Sequence, residues 1–234
     1  MFTKINKKSL NEEITRQMIS KILTGLLHPG DKLPPEREMA EQMNVNRNTL
    51  REALRKLELL GLLSVKQGDG IYVLDYRNSG NIELLKHILV SRKEMTASII
   101  HDILKIRTIV FPEMAALAAE KITADELKIL KKINDDPGMS LIDKDIAIHN
   151  SVARASANLF FMILLNFFND IFRQYAGLYF SFEENRNVSL KFHKNIIDAL
   201  NRKDSKKAKS IMLDVLIFAE ERTIDYMEKT HEKS

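Results

Sequence analysis

The chain contains no cysteine, which excludes disulfide cross-links, thiolate metal centres and thiol redox chemistry and suits a reducing compartment. No apolar run approaches the roughly 20 residues a membrane-spanning helix needs, and the first residues, MFTKINKKSLNEEITRQ, hold no signal-peptide core. A soluble, cytoplasmic protein with no membrane partner is expected. A strongly basic half is missing too. The net charge is +4, with 12 basic against 10 acidic residues through Asp75 and 24 against 22 after it. Bulk charge therefore marks neither half for nucleic acid, and only the placement of basic groups can. No nucleophile motif, phosphate loop or placed general base is present, which argues against an enzyme. What is there is 234 residues with 44% hydrophobic content, enough for one large domain or two modest ones with packed cores.

The chain is organised around Leu33–Val73, LPPEREMAEQMNVNRNTLREALRKLELLGLLSVKQGDGIYV. Pro34 and Pro35 suit a helix start, where a missing N–H matters little; Met39, Ala40 and Met43 are expected to face inward. A second helix should begin at Asn46, whose side chain can accept from a first-turn N–H. Leu50, Ala53, Leu54, Leu57 and Leu60 then form an apolar stripe at helical spacing. On the other face Arg47 and Arg51 stack four residues apart, with Asn48 and Thr49 beside them. These groups match base-edge chemistry: arginine to guanine O6 and N7, asparagine to adenine N6 and N7, threonine through hydroxyl or methyl. Alternatively, the arginines simply solvate an exposed face. Leu63-Ser64-Val65 and Ile71-Tyr72-Val73 around Gln67-Gly68-Asp69-Gly70 read as a hairpin.

This stretch resembles the winged helix-turn-helix of the GntR family of bacterial transcriptional regulators, through its LP-x-ER start, V-x-R-x-T-L-RE-AL helix, G-L-L exit and glycine-bearing wing. The resemblance implies DNA contacts from Arg37, Arg47, Asn48, Thr49, Arg51, Gln67 and Gly68. Asn48 and Gln67 depart from several relatives, which bears on the operator sequence.

Before this module, Ser9 and Glu12 read as a capping box. The helix they open should bury Leu10, Ile14, Met18, Ile22 and Leu26 and stop at His28-Pro29-Gly30-Asp31. Lys4, Lys7 and Lys8 suit phosphates or simple solvation. The expected divisions are a DNA-binding domain at 1–75, a polar linker at 76–81 and an all-helical domain at 82–234. In the last, one helix is expected through Ile99, Ile103, Ile106 and Val110 and another through Met114, Leu117 and Ala118. Thr123–Glu126 is a second capping box, Asp136-Pro137-Gly138 a stop, and helices should cover about 140–157, 159–180, 188–201 and 205–230. The fold class is mainly α, a winged helix-turn-helix with a small β-hairpin followed by a helical bundle.

The stretches IRTIVFPEMAALAAEKIT, DKDIAIHNSVARASAN and FHKNIIDALNRKDSKKAKSIM resemble the FCD effector domain of the FadR subfamily. SGNIELLKHIL and YFSFEENRNVSLKFHK look most like the fatty-acid-responsive FadR proteins. Asp145 and His149 are four apart and can aim into one cavity; with His193, at the start of a later helix, they make a ligand set for a divalent metal such as Zn, Ni or Mn. They equally suit a surface carboxylate, a core imidazole and a helix cap. Metal-binding FCD domains carry one further histidine, where this chain has Leu213-Asp214-Val215-Leu216. Phe160, Ile163, Leu164, Phe167, Phe168 and Ile171 suggest a helix buried on several sides, or the lining of an acyl tunnel with Tyr175 and Tyr179 at its mouth.

The resemblance implies a homodimeric regulator, usually a repressor, bound to a palindromic DNA operator and released by a long-chain fatty acyl-CoA. A metal-assisted sensor of a small organic acid is the alternative, and a metal-dependent hydrolase with a DNA-binding appendage a remote one.

Overall fold

The computed structural model describes residues 10–90 and 97–231; Ser9, Lys4, Lys7, Lys8 and the His231 side chain lie outside the described features. The chain divides between residues 95 and 96 into two compact units. In the first, α1 (Leu10–Leu23), α2 (Glu36–Gln42) and α3 (Arg47–Leu59) precede a hairpin of β1 (Leu63–Lys66) and β2 (Gly70–Val73), then α4 (Tyr76–Ser79) and α5 (Ile82–Val90). The strands are antiparallel, with Leu63 opposite Val73 and Lys66 opposite Gly70. Lys32 bridges to Tyr72 along the free edge of β2.

The apolar periods explain this packing. Ile14, Met18 and Ile22 of α1 and Leu50, Ala53, Leu54 and Leu57 of α3 are buried, and α1 packs on α3. Met39 and Ala40 are buried as expected, Met43 only half so. Two ends of the expected α1 stripe are corrected: Leu10 and Leu26 are exposed. The helix already stops at Leu23, and Gly25 turns left-handed at φ +75. That places Leu26 beyond the helical period, well before Pro29.

Asn46 caps α3, its Oδ1 accepting from the Thr49 backbone N–H at 2.8 Å. The other end stops at Gly61, φ +74, a left-handed residue one past the cap that closes helices through glycine. The polar segment 76–81 is fastened here: Ser79 Oγ donates to the Gly61 carbonyl at 2.6 Å and Asn81 Nδ2 to the Leu59 carbonyl at 2.7 Å. Beyond it, Leu84 and Ile88 of α5 are buried and α5 touches α1.

The second unit consists, among the described residues, of α6 (Ala97–Lys121), α7 (Ala124–Asp135), α8 (Leu141–Ala155), α9 (Leu159–Tyr179), α10 (Glu183–Asn201) and α11 (Ser205–His231). Helix α6 packs along α11 and against α8, and α10 packs on α11 and α7. Phe111, Met114, Ile148, Ile196, Leu200 and Met212 are fully buried between them. The Thr123–Glu126 capping box forms as expected. The two helices expected across 99–118 are one, 25 residues long with Pro112 inside. An interior proline typically costs about 3 kcal/mol, and the burial of Phe111, Met114 and Ala115 on either side offsets it. Helix α10 begins at Glu183, so His193 lies in its middle rather than at its start.

Helix α9 is also corrected. Phe167 and Phe168 are buried, but Phe160 is 80% and Ile163 57% exposed, so its first turns are not enclosed on several sides.

Gly61 supplies a test of the α3 exit. A Cβ there would lie 2.0 Å from the Ser79 carbonyl oxygen, and the left-handed backbone alone costs a non-glycine residue roughly 1–2 kcal/mol. Gly61→Ala should destabilise the first unit by about 2 kcal/mol or more, read as a lowered thermal midpoint; an unchanged midpoint would mean that 76–81 is not fastened to α3.

Candidate nucleic-acid interface and a buried polar cluster

Burial of one face of α3 decides what the other presents. Arg47, Asn48 and Arg51 are exposed on its first turns. Thr49 is half-buried, and its hydroxyl donates to Asn46 Oδ1 at 3.1 Å, which leaves its methyl and lone pairs for another contact. Arg37 of α2 pairs with Glu41 at 3.0 Å. Arg51 pairs with Glu36 at 2.7 Å. A cleft of about 450 Å³, lined by Arg37, Glu41, Asn44, Asn46 and Arg47 among others, lies between α2 and the start of α3.

At the wing tip Gln67 is exposed, and Gly68, φ +80, has nothing within 4 Å of where a Cβ would stand. That lets a backbone or phosphate approach closely. Sequence reasoning missed the group bracing this tip. Asp69 accepts from Lys32 Nζ at 3.1 Å and from the Tyr72 hydroxyl at 2.9 Å, and the Lys66 ammonium sits 4.8 Å from the Tyr72 ring centroid. The hydrogen bond from Lys32, then that from Tyr72, hold the Asp69 carboxyl below its usual range. The signal for this group, a lysine one residue before the LPPER run, carries no periodicity.

In the second unit, Asp145, His149 and His193 do come together. His193 Nε2 lies 2.9 Å from Asp145 Oδ1, and Ser189 Oγ donates to the same oxygen at 2.7 Å. His149 Nε2 is 3.9 Å from Asp145 Oδ2, its ring stacked on Phe192 with centroids 5.0 Å apart. Nδ1 of both imidazoles is buried without a partner. Burial raises the Asp145 pKa, but the His193 hydrogen bond, the histidine charges and Ser189 outweigh it and hold the carboxyl low.

Asp145 Oδ1 is taken up by His193 and Ser189 rather than turned to a point shared with His149. Among the described residues no group of three or more His, Asp or Glu stands in a metal-holding arrangement. A ligating histidine turns one nitrogen to the metal and donates from the other to a second partner. Here His193 Nε2 faces Asp145 while Nδ1 has no partner. Asp214, the only carboxylate in the stretch where a further histidine would stand, is exposed and near Ser210 Oγ at 3.5 Å. The residues present therefore do not fit a divalent metal. Nor is Ser189–His193–Asp145 a nucleophilic relay, which needs the serine and the carboxylate on opposite imidazole nitrogens; both lie on Nε2.

Arg107 of α6 joins this cluster and was not singled out by sequence. Part of the residue reaches solvent, yet its Nε is sealed without a partner. Its guanidinium lies 5.8 Å from the Phe168 ring centroid. Burial pushes its pKa down against the charges of Asp145, Tyr179 and Glu220; arginine stays protonated regardless. Tyr179 is pushed up by burial and by Asp145 and packs edge-on against Phe172 and Phe180. Tyr175 is half-buried on the same helix.

Comparison with known proteins decides the family. The model of "Bacterial regulatory proteins, gntR family" matches residues 10–73, and that of the FadR C-terminal domain matches residues 75–221. The chain is a FadR-type member of the GntR family. This FadR-type protein is 37% identical over 127 residues to the HTH-type transcriptional regulator Mce2R of Mycobacterium tuberculosis. That match covers 54% of this chain and 53% of Mce2R, so the chain spans about half the length of that relative. It is 27% identical over 194 residues to the fatty acid metabolism regulator protein of Shewanella oneidensis, covering 82% of this chain and 81% of that one. The structure of Lar, which controls the expression of the Listeria monocytogenes agr system, shares the fold. Its TM-score is 0.56 at 17% identity, over 93% of this chain and 97% of that one. No helix among the described residues is long and apolar enough to cross a membrane.

The burial of His149 predicts a pH-dependent stability for this FadR-type protein. Burial pushes the imidazole down to about 4, against Asp145 and with Arg107 and His193. An unfolded histidine protonates near 6.5, so between those values the unfolded chain binds more protons. This contribution is complete above about pH 6.5 and is lost as pH falls, at up to about 1.4 kcal/mol per unit. In EDTA, His149→Gln should flatten the decline of the thermal midpoint between pH 6.5 and 4.5; an unaltered decline would show that His149 titrates normally.

Proposed function

We propose that this chain is a cytoplasmic, homodimeric transcription factor that occupies a palindromic DNA operator, in the usual mode as a repressor, and is released by a small-molecule effector. The observation that carries the DNA-reading role is the exposed set Arg47, Asn48 and Arg51 on a helix whose opposite face is buried, with Arg37 lining the same cleft as Arg47; the exposed wing residues Gln67 and Gly68 are further candidate contacts. A helix presented by its N-terminal end offers such side chains to base edges in the major groove. Dimerisation follows from the physics of reading: one helix covers few base pairs, and a two-fold site doubles the contacts.

For the effector, the match to the FadR C-terminal domain and the likeness to a fatty acid metabolism regulator protein support a long-chain fatty acyl-CoA and fatty-acid metabolism genes as targets. A ligand releases DNA only if it favours the unbound state. Tyr175 and Tyr179 of α9 and the neighbouring aromatic rings are the apolar part of this reading. A small organic acid is the second reading, favoured by the sealed, unpartnered Nε of Arg107, which suits a carboxylate.

The deciding experiment is fluorescence anisotropy of the purified protein on duplex DNA from its own upstream region, titrated with oleoyl-CoA and separately with short carboxylates. Release by oleoyl-CoA at low micromolar concentration supports the first reading, and release by a short carboxylate alone the second. Release only with added Zn²⁺, Ni²⁺ or Mn²⁺ would overturn the view that the Asp145 cluster takes no metal. In the same assay Arg47→Ala and Arg51→Ala should each weaken binding by roughly 1–3 kcal/mol and relax base preference. Arg107→Gln should leave DNA affinity intact and raise the effector concentration for half-release about tenfold, the scale of one charged hydrogen bond. Wild-type behaviour in all three would sink the assignment.

A further inference from the structure

The ion pair between Arg51 and Glu36 differs from its neighbours in a way that bears on how DNA is read. Arg37 and Glu41 pair within one helix and are 73% and 66% exposed, the loose type of surface pair that contributes little. Arg47 has no ion-pair partner among the described residues. Arg51 instead reaches from α3 to the first residue of α2, its Nε donating to Glu36 Oε2 at 2.7 Å. Glu36 is only 32% exposed, against 54% for Arg51.

Two local features hold Glu36 in that place. Pro35 sits at the cap of α2 and makes no side-chain cap hydrogen bond, so α2 leans on the acidic residues of its first turn, where the helix dipole favours a carboxylate. Met39 and Ala40, on the same short helix, are buried and fix its rotation. Among the described residues the Glu36 carboxylate makes one hydrogen bond, accepted from Arg51 Nε.

The bond is made at Nε, so both terminal nitrogens of the guanidinium remain available. Those two form the parallel pair that can meet guanine O6 and N7. A flexible arginine held at one nitrogen loses less freedom when it docks with the others. The same carboxylate, placed next to the DNA-facing cation, repels phosphates that approach without a matching base. We propose that Glu36 is a positioning residue for DNA reading: it aims the Arg51 guanidinium at a base edge and separates specific from non-specific duplex. This rests on the reading that Arg51 contacts DNA.

The test uses the full chain and a randomised duplex library. Wild-type selection yields a preferred duplex, and anisotropy then compares it with a scrambled duplex of the same composition. Glu36→Gln should bind the preferred duplex more weakly and the scrambled one as well or better, lowering the ratio about five- to tenfold, within the range of one bidentate base contact. The loss should fall on the base position that Arg51→Ala also relaxes, and Glu36→Gln should take nothing further from the preferred-to-scrambled ratio in the Arg51→Ala background. Glu36→Asp keeps the charge but shortens the reach, so it should lose discrimination without gaining affinity for scrambled DNA. Circular dichroism melts, expected to match wild type, separate these effects from unfolding.

Undiminished discrimination in Glu36→Gln alongside its loss in Arg51→Ala overturns the inference alone, as does an equal effect of Glu36→Gln with and without Arg51. Full discrimination in Arg51→Ala overturns the DNA-reading role of Arg51 and the inference with it.

Discussion

The burial of one face of α3 is the constraint on which the first unit depends. Leu50, Ala53 and Leu57 are completely excluded from solvent, and a helix turning every 3.6 residues cannot hide that stripe without turning Arg47, Asn48 and Arg51 outward. The packing core and the reading edge are therefore one decision made by one pattern. The Asn46 cap fixes where the pattern starts, and Gly61 fixes where it ends.

The second unit solves a different problem, how to keep charge inside a helical bundle. The Asp145 carboxyl is held low against its burial because His193 and Ser189 bond to it. Arg107 stands near as a cation with an unsatisfied edge. Buried polar atoms without partners are rare in native interiors, and three are concentrated here, on Arg107, His149 and His193.

Legibility from sequence followed the range of the interactions. The Asn46 cap, the hairpin at Gln67–Gly70 and the Thr123–Glu126 box are set by residues within a few positions of one another, and each was visible in the chain. Asp145 and His149 could be joined because one helical turn separates them. His193, on another helix, was joined to them as a metal-ligand type; Arg107, also on another helix, is not one and carried no such signal. The same holds for Glu36 with Arg51 and for Lys32 with Asp69, pairs separated by 15 and 37 positions. Pro112 misled in the opposite direction: its local preference is to end a helix, and packing on both sides overrode it. The exposure of Phe160 shows that apolar composition reports what a side chain prefers, whereas neighbouring helices decide whether cover exists.

The fastening of segment 76–81 to the back of α3 carries a mechanical meaning. Ser79 and Asn81 are each hydrogen-bonded to a carbonyl at the C-terminal end of the reading helix, and the chain then continues into α5, which packs on α1 within the same unit. The rear of α3 is thus tied to α1 twice, by its own apolar stripe and through the segment that leads to α5. That double fastening sets the orientation of the helix that carries Arg47 and Arg51. The tip of a 13-residue rod, about 20 Å long at 1.5 Å per residue, moves by about 3.5 Å for each 10° tilt about its far end, enough to take a guanidinium out of hydrogen-bonding range of a base.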